Sequence, residues 1–328
     1  MIITKTPVRI SIGGGGTDLP FFYPLYEGEL ITAAINKYVY VTISKRNFHN
    51  NIRVAYSKTE IVNSSDEIEN TRVKAALKFL NINEPLEITT ISEVPGNSGL
   101  GSSSAFLVGL LKALHIYLGE DVSSRTLAEE AAKIEIEILN EPIGKQDQYA
   151  TALGGINHLK INKKGSVLAS PLDISFETLS DLERNLHIFF TGVQRSATEV
   201  LNDQAKSIQS NENKLESMKK IKEIGIEIKK ALEKGDTKMF GRLMNLHWEL
   251  KKETSNKISD PQIDNWYNLA IQNGALGGKI MGAGGGGFFI FYCDRNPSNF
   301  IKTLTQSGLS YVPFRFDRDG SKVVLDLR

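Results

Sequence analysis

An α+β fold in two domains is what this sequence predicts. Three observations point there. A chain of 328 residues is long enough for about two domains, each with its own core. Stretches of alternating apolar and polar residues come first, and helical periodicity follows within what reads as one sheet. A glycine- and serine-rich stretch, PGNSGLGSSSA from Pro95 to Ala105, sits where a strand hands over to a helix. We place the first domain at residues 1–183 and the second at 184–328, where the chain changes character.

The elements follow in order. Residues 7–12 alternate as a strand, and Gly13–Gly16 break it before Asp18 and Pro20. Glu29 to Arg46 is rich in Ile, Val, Tyr and Thr and reads as two strands. NNIRVAYS reads as a further short strand. Residues 70–80 have helical spacing, and Asn70 is placed to cap them. LEITTISEV, Leu86 to Val94, alternates as a strand, and Ala105 to Leu118 is apolar at helical spacing. Ser123 or Ser124 caps a helix that carries Leu127, Ala131, Ile134 and Ile138. Pro142 and Gly144 end it, and Asp147 opens a fresh segment.

GINHLKI, SVLASPLDI and NLHIFFTGV read as strands, the last ending at Gly192. QRSATEVL starts a helix with Arg195 near its N-terminus. Residues 202–234 read as one long charged helical stretch with Leu215, Met218, Ile221, Ile224, Ile228 and Leu232 as its apolar stripe. A second helix carries Phe240, Leu243, Met244, His247 and Leu250, with His247 read as packed. Gly282–Gly287 precede an apolar strand, Phe288–Tyr292.

The central stretch has chemistry of its own. A helix start exposes N–H groups with no partner inside the helix, and it carries the positive end of the helix dipole. Glycines let backbone approach a ligand closely, so Gly99–Ser104 forms an anion cradle suited to phosphates. A serine-capped flexible turn is the competing reading of such a loop taken alone. Two familiar phosphate loops do not fit. Ser102 follows Gly101 where GxxxxGK[ST] needs lysine, and GxGxxG is absent.

Composition narrows the rest. A net charge of +1 gives no argument for nucleic acid or an anionic membrane. The single cysteine, Cys293, excludes an intramolecular disulfide and reads as a buried small hydrophobe. The five histidines show no metal-ligand spacing. No long apolar core of a signal peptide and no membrane-length stretch is seen, so a cytoplasmic protein is expected.

Three motifs, in order, resemble those of the GHMP small-molecule kinases. PGNSGLGSSSA fits PxxxGLGSS[SA]A. RISIGGGGTDLP is similar to the GRVNLIGEHTDY opening of galactokinase-like members. KIMGAGGGG is similar to K-x-[TS]-G-A-G-x-G-G, with Met281 replacing a small polar residue. The resemblance implies the GHMP kinase fold, an N-terminal α+β domain followed by a C-terminal ferredoxin-like domain, with ATP and sugar meeting at the junction.

It also implies roles. Pro95, Gly96, Gly99, Leu100, Gly101, Ser102, Ser103 and Ser104 would wrap the ATP phosphates. The second serine of the loop motif, Ser103, would help to hold Mg2+, and laying EIEILNEPIGKQDQ on the corresponding galactokinase-like motif gives Glu135 as the other Mg2+ ligand, with Glu137 as the weaker alternative. A hard cation suits such oxygen donors. Asp147 would take the acceptor's proton or orient its hydroxyl, with Arg9 beside it. Thr17 and Asp18 would bind sugar hydroxyls, and Gly284 and Gly285 would back the site. Gly15 and Gly16 stand where Glu and His stand in galactokinase-like members, which opens space and removes a negative charge. Lys145 and Arg195 would add positive charge for an acceptor that is already phosphorylated.

Within the family, the RISIGGGGTDLP, PIGKQDQYA, TGVQRSA and KIMGAGGGG segments are most similar to kinases of D-glycero-D-manno-heptose 7-phosphate. Those kinases make the 1,7-bisphosphate for nucleotide-activated heptose and surface polysaccharide. The partner implied is a small phosphosugar; the oligomeric state stays open. Fucokinase-like and galactokinase-like activities are the nearest alternatives. A GHMP-fold decarboxylase and a non-catalytic sugar sensor are the others, although Ser103, Glu135 and Asp147 are all present.

Overall fold

A computed structural model describes residues 1–194, 197–209 and 211–328. Arg195, assigned above to the substrate, lies outside the described residues. The chain opens with β1 (Ile2–Gly13), a single turn α1 (Tyr23–Tyr26), β2 (Gly28–Lys45), β3 (Ile52–Ala55) and β4 (Thr59–Val62). It continues with α2 (Thr71–Phe79), β5 (Leu86–Ser92), α3 (Ser102–Leu118), α4 (Ser124–Ala132) and α5 (Gln146–Leu153). Then come β6 (Ile156–Ile161), β7 (Val167–Pro171), α6 (Phe176–Asn185) and β8 (Leu186–Phe190). Four helices follow: α7 (Ala197–Gln209), α8 (Glu212–Glu233), α9 (Thr237–Thr254) and α10 (Pro261–Gln272). The chain closes with β9 (Gly277–Ile280), β10 (Phe288–Tyr292), α11 (Pro297–Gln306), β11 (Ser310–Val312) and β12 (Lys322–Asp326).

The first sheet has eight strands in the order β12-β1-β2-β5-β3-β4, with β6 and β7 continuing from the first half of β2. The stretch expected as two strands is one 18-residue strand. Its break in register is small: Pro7 faces Tyr38 but Val8 faces Ile35. Asn36 and Lys37 are thus absorbed as a bulge rather than a turn. Helix α3 packs on β1 and β2. Gly109 permits the close approach, since a Cβ there would lie 2.7 Å from Thr6 Oγ1. Thr4 Oγ1 donates to the Gly109 carbonyl at 2.8 Å. The middle of α3 is thereby held against β1.

The second sheet is antiparallel in the order β11-β8-β10-β9. Numbered within the sheet, that is 4-1-3-2, and with its helices it forms the βαββαβ ferredoxin-like unit. Its first crossover is long and holds α7 to α10. The single helix expected over 202–234 is two helices, because Asn211 caps α8 by accepting from the amides of Asn213 and Lys214.

The last strand of the chain returns to the first sheet. There β12 pairs with β1, while Phe316 bridges Ile35 and the Gly155 amide donates to the Asp317 carbonyl at 2.6 Å. The edge of β1 needs a partner, and β12 supplies it. Cys293 is fully buried, as its apolar setting predicts. Among the described residues no helix is long and apolar enough to cross a membrane.

Candidate active site

Helix α3 begins without a side-chain cap. Its first residue follows Gly101, which sits in the left-handed region at φ 72°. Helices α2, α4 and α6 are capped by Asn70, Ser123 and Ser175 respectively. At α3 the first-turn amides are left without an intrahelical acceptor, at the positive end of the dipole. They open into a cavity of about 210 Å³ lined by both domains.

Beneath this loop lies an ion pair. Arg9, on β1, is 3 % exposed. Its Nε donates to Asp147 Oδ1 at 2.7 Å and its Nη2 to Asp147 Oδ2 at 2.8 Å. Its Nη1 donates to the Gly99 carbonyl at 2.6 Å. The loop passes directly over the pair: a Cβ on Gly101 would lie 3.0 Å from Asp147 Oδ2 and 3.2 Å from Arg9 Cγ. Only glycine combines that approach with a positive φ. The carboxylate keeps unused lone pairs despite the two bonds, so it can still accept from an incoming hydroxyl.

Asp18 stands next to this pair. It accepts from the Gln146 amide at 3.0 Å and the Gly16 amide at 3.2 Å. Burial pushes its pKa up, the Gln146 amide opposes this, and the nearby Asp147 charge adds to it. Gly144 must be glycine, since a Cβ there would fall 1.9 Å from Asp18 Oδ2. Gly15 leaves room for the Ser11 hydroxyl, 2.5 Å from where its Cβ would be. Among the described residues, Ser11 Oγ, Gln146 Oε1 and both ring nitrogens of His247 are buried without a partner, and all three residues line the cavity. Buried polar atoms left open this way mark a place shaped for a polar ligand.

Several expected residues are brought together here: Arg9, Gly15, Gly16, Asp18, Gly99, Gly101, Ser102, Ser103, Ser104 and Asp147 all line the cavity. Others are not. Thr17 turns inward, donating to the carbonyls of Gly14 and Glu29, and so pins the loop instead of facing a sugar. Gly284 packs against Ile258, and the Gly285 amide donates to the Ile258 carbonyl at 2.8 Å. Pro95 accepts from Ser98 Oγ, Gly96 is exposed, and the buried Leu100 offers its carbonyl to the Arg9 amide.

Lys145 also points elsewhere. Its Nζ donates to the Gly165 carbonyl at 2.6 Å and lies over the Tyr23 ring. The turn between β6 and β7 takes its charge away from the cavity.

Glu135 is fully buried in a π turn over Lys133–Ile138 that continues α4. It accepts from Arg72 Nε at 2.8 Å, Ser104 Oγ at 2.7 Å and Gln148 Nε2 at 2.5 Å. Its direct serine partner is thus Ser104, whereas Ser103 is exposed. Glu137 is exposed as well.

The sequence reading missed Arg72, His247, Lys251 and Lys279, which line the cavity. Burial, aided by the Arg9 charge, lowers the Lys251 ammonium to about 8. Lys279 is also pushed well down by burial and by the charges of Lys251 and Arg9. Burial likewise lowers His247, with Lys279 and Lys251 adding to it. This has a consequence for stability. Between pH 8 and 10.5 the unfolded chain keeps a proton on Lys251 that the folded chain has released, so stability rises with pH there. The parent should gain up to about 3 kcal/mol on Lys251→Met across that range in urea denaturation. Parallel pH profiles for the two proteins would contradict the burial cost assigned to Lys251.

Comparisons with known proteins identify the family. Residues 70–155 match the GHMP kinases N terminal domain and residues 228–307 match the GHMP kinases C terminal domain. The D-glycero-alpha-D-manno-heptose 7-phosphate kinase of Campylobacter jejuni is 32% identical, over 98% of each chain. The L-fucokinase/L-fucose-1-P guanylyltransferase of Bacteroides fragilis is 28% identical over 92% of this chain and 36% of its own. A crystal structure of a D-glycero-D-manno-heptose 1-phosphate kinase from Bacteroides thetaiotaomicron superposes with a TM-score of 0.83 at 28% identity, covering all of both chains. The chain belongs to the GHMP kinases. It is an ATP-dependent phosphotransferase with an alcohol acceptor, a sugar kinase of the heptose kinase type.

Proposed function

We propose that the chain transfers the γ-phosphoryl of ATP to the anomeric hydroxyl of D-glycero-D-manno-heptose 7-phosphate, giving the 1,7-bisphosphate. The observation that carries the transfer site is the uncapped start of α3 lying directly over the Arg9–Asp147 pair. In-line phosphoryl transfer needs a phosphate cradle, a group to hold the attacking hydroxyl, and positive charge between them. The loop amides, Asp147 and Arg9 are read in those three roles. Asp18 and the open hydroxyl of Ser11 would hold the sugar's other hydroxyls. The choice of heptose phosphate rests on the 32% identity to the Campylobacter jejuni enzyme.

Mg2+ fits this reading. Such an ion takes one or two protein oxygens plus substrate phosphates. Ser103 and Glu135 are read as those donors: Ser103 lines the cavity, and Glu135 lies behind it, bonded at 2.7 Å to the hydroxyl of the adjacent Ser104. When bound, Mg2+ draws charge from the β- and γ-phosphates. Arg72 keeps Glu135 in place, and Gln148 supports it from the other side.

The test is a phosphorylation screen with ATP and Mg2+ over free and phosphorylated hexoses and heptoses, with NMR assignment of the product. Heptose 7-phosphate should be used with kcat/KM at least about tenfold above fucose or galactose, the equivalent of one charged contact. The new phosphate should appear on C1. Equal turnover of fucose and heptose 7-phosphate, or a new phosphate elsewhere than C1, would sink the proposal.

A further inference from the structure

The cavity floor carries two ammonium groups and an imidazole that the roles above do not use. Lys251, Lys279 and His247 are each more than nine-tenths buried, at 9%, 2% and 1% exposure, and all three line the cavity. Lys251 Nζ donates to the Gly282 carbonyl at 2.5 Å and Lys279 Nζ to the Ile12 carbonyl at 3.2 Å. An ammonium has three donors, so each has more to give. Among the described residues neither lysine has a carboxylate partner, and His247 has no partner at either ring nitrogen. Arg9 is close enough to depress both lysines.

Burying cations with no counter-ion is costly. The cost is recovered when an anion enters. We propose that Lys251, Lys279 and His247 form a seat for a phosphate dianion. Three donor groups converging on one end of a cavity suit a tetrahedral group with three terminal oxygens better than a planar carboxylate. The two anchors show where the seat lies. Ile12 is the last residue of β1 before the glycine run that leads to Asp18, on the acceptor side. Gly282 lies against Gly99 of the phosphate loop, where a Cβ on Gly282 would come 2.7 Å from Gly99 Cα. The seat therefore stands between acceptor and nucleotide. Its phosphate is either the one the acceptor already carries or the one in transfer, and this choice of sources rests on the proposed kinase reading. The seat takes the place expected for Lys145, whose charge is turned away.

The experiment titrates orthophosphate into the full chain without nucleotide, followed by 31P NMR, for the parent, Lys251→Met, Lys279→Met and Lys252→Met. The first two variants should bind phosphate about ten- to a hundredfold more weakly. Lys252, bonded to Glu249 at 3.0 Å, should make no difference. Thermal melts accompany each variant; loss of an unpaired buried charge should leave them folded, and two separate lysines keep the test usable if one fails. Unchanged phosphate affinity in the folded variants would overturn the seat. Kinetics then separates the sources. A raised KM for heptose 7-phosphate, with kcat on unphosphorylated heptose preserved, assigns the seat to the acceptor's phosphate. A fall in kcat on both assigns it to the phosphoryl in transfer. Should the parent phosphorylate no heptose at all, the substrate reading fails while the titration still decides the seat.

Discussion

Asp147→Asn is expected to lower kcat by at least ~10²-fold, the range in which a general base contributes. The geometry explains why the effect should fall on kcat. Asp147 lies under Gly101 and so under the phosphate loop, and both of its oxygens are held by Arg9. An asparagine can accept only on its oxygen, and its amide nitrogen faces a guanidinium that can only donate. The hydroxyl-accepting atom is lost and the clamp is halved together. Because the Asp147 side chain is 22% exposed, part of the broken pair can be hydrated, and the chain should remain folded. Steady-state kinetics alongside circular-dichroism melts gives the answer. Near-normal kcat in a folded variant would remove Asp147 from the chemistry.

Arg72→Met should cost stability rather than speed alone. Arg72 ties Glu135 at 2.8 Å to Glu141 at 2.7 Å, and Glu135 has no exposed side-chain surface. Breaking a buried pair by removing one partner costs about 3–5 kcal/mol, because it strands a charge. Burial already pushes the Glu135 pKa up, and Arg72 is the largest influence pulling it down. Without Arg72 the folded chain would hold a proton there that the unfolded chain has released. Stability then falls as pH rises, so the loss should be greater near neutrality than in acid. Adding Glu135→Gln should restore most of it. A double variant no more stable than Arg72→Met would refute the coupling. On its own, Glu135→Gln should raise the Mg2+ requirement, and Glu137→Gln, at an exposed position, should not.

The motif-bearing part of the site was legible because glycines carry their reasons locally. Gly101 and Gly16 have positive φ, and a run of glycine and serine between strand and helix announces exposed amides. Arg9, Asp18 and Asp147 came from the family resemblance, and the structure gathers them. The cationic floor was hidden for a different reason. Lysine is ordinarily a surface residue, so Lys251 beside Lys252 reads as solvated charge. Yet Phe240, Met244, His247 and Lys251 share the helical spacing of the buried face of α9, and that phase was the available signal. Lys279 opens the third glycine motif and was quoted without a role. Lys145 failed the other way: proximity in sequence to Asp147 says nothing about side-chain direction, and only the β6–β7 turn decides it.

The return of β12 to β1 bears on how the molecule is made. Ile2 faces Asp326, so the first strand and the twelfth must meet across almost the entire chain. During synthesis β1 is translated early, and its outer edge waits unpaired until the whole ferredoxin-like unit has been produced. A bare edge is a template for mispairing with other chains, and contacts so distant in sequence form slowly. Nascent chains halted before β12 should therefore be more dependent on chaperones than those carrying it, and late termination more damaging than its distance from the active site suggests.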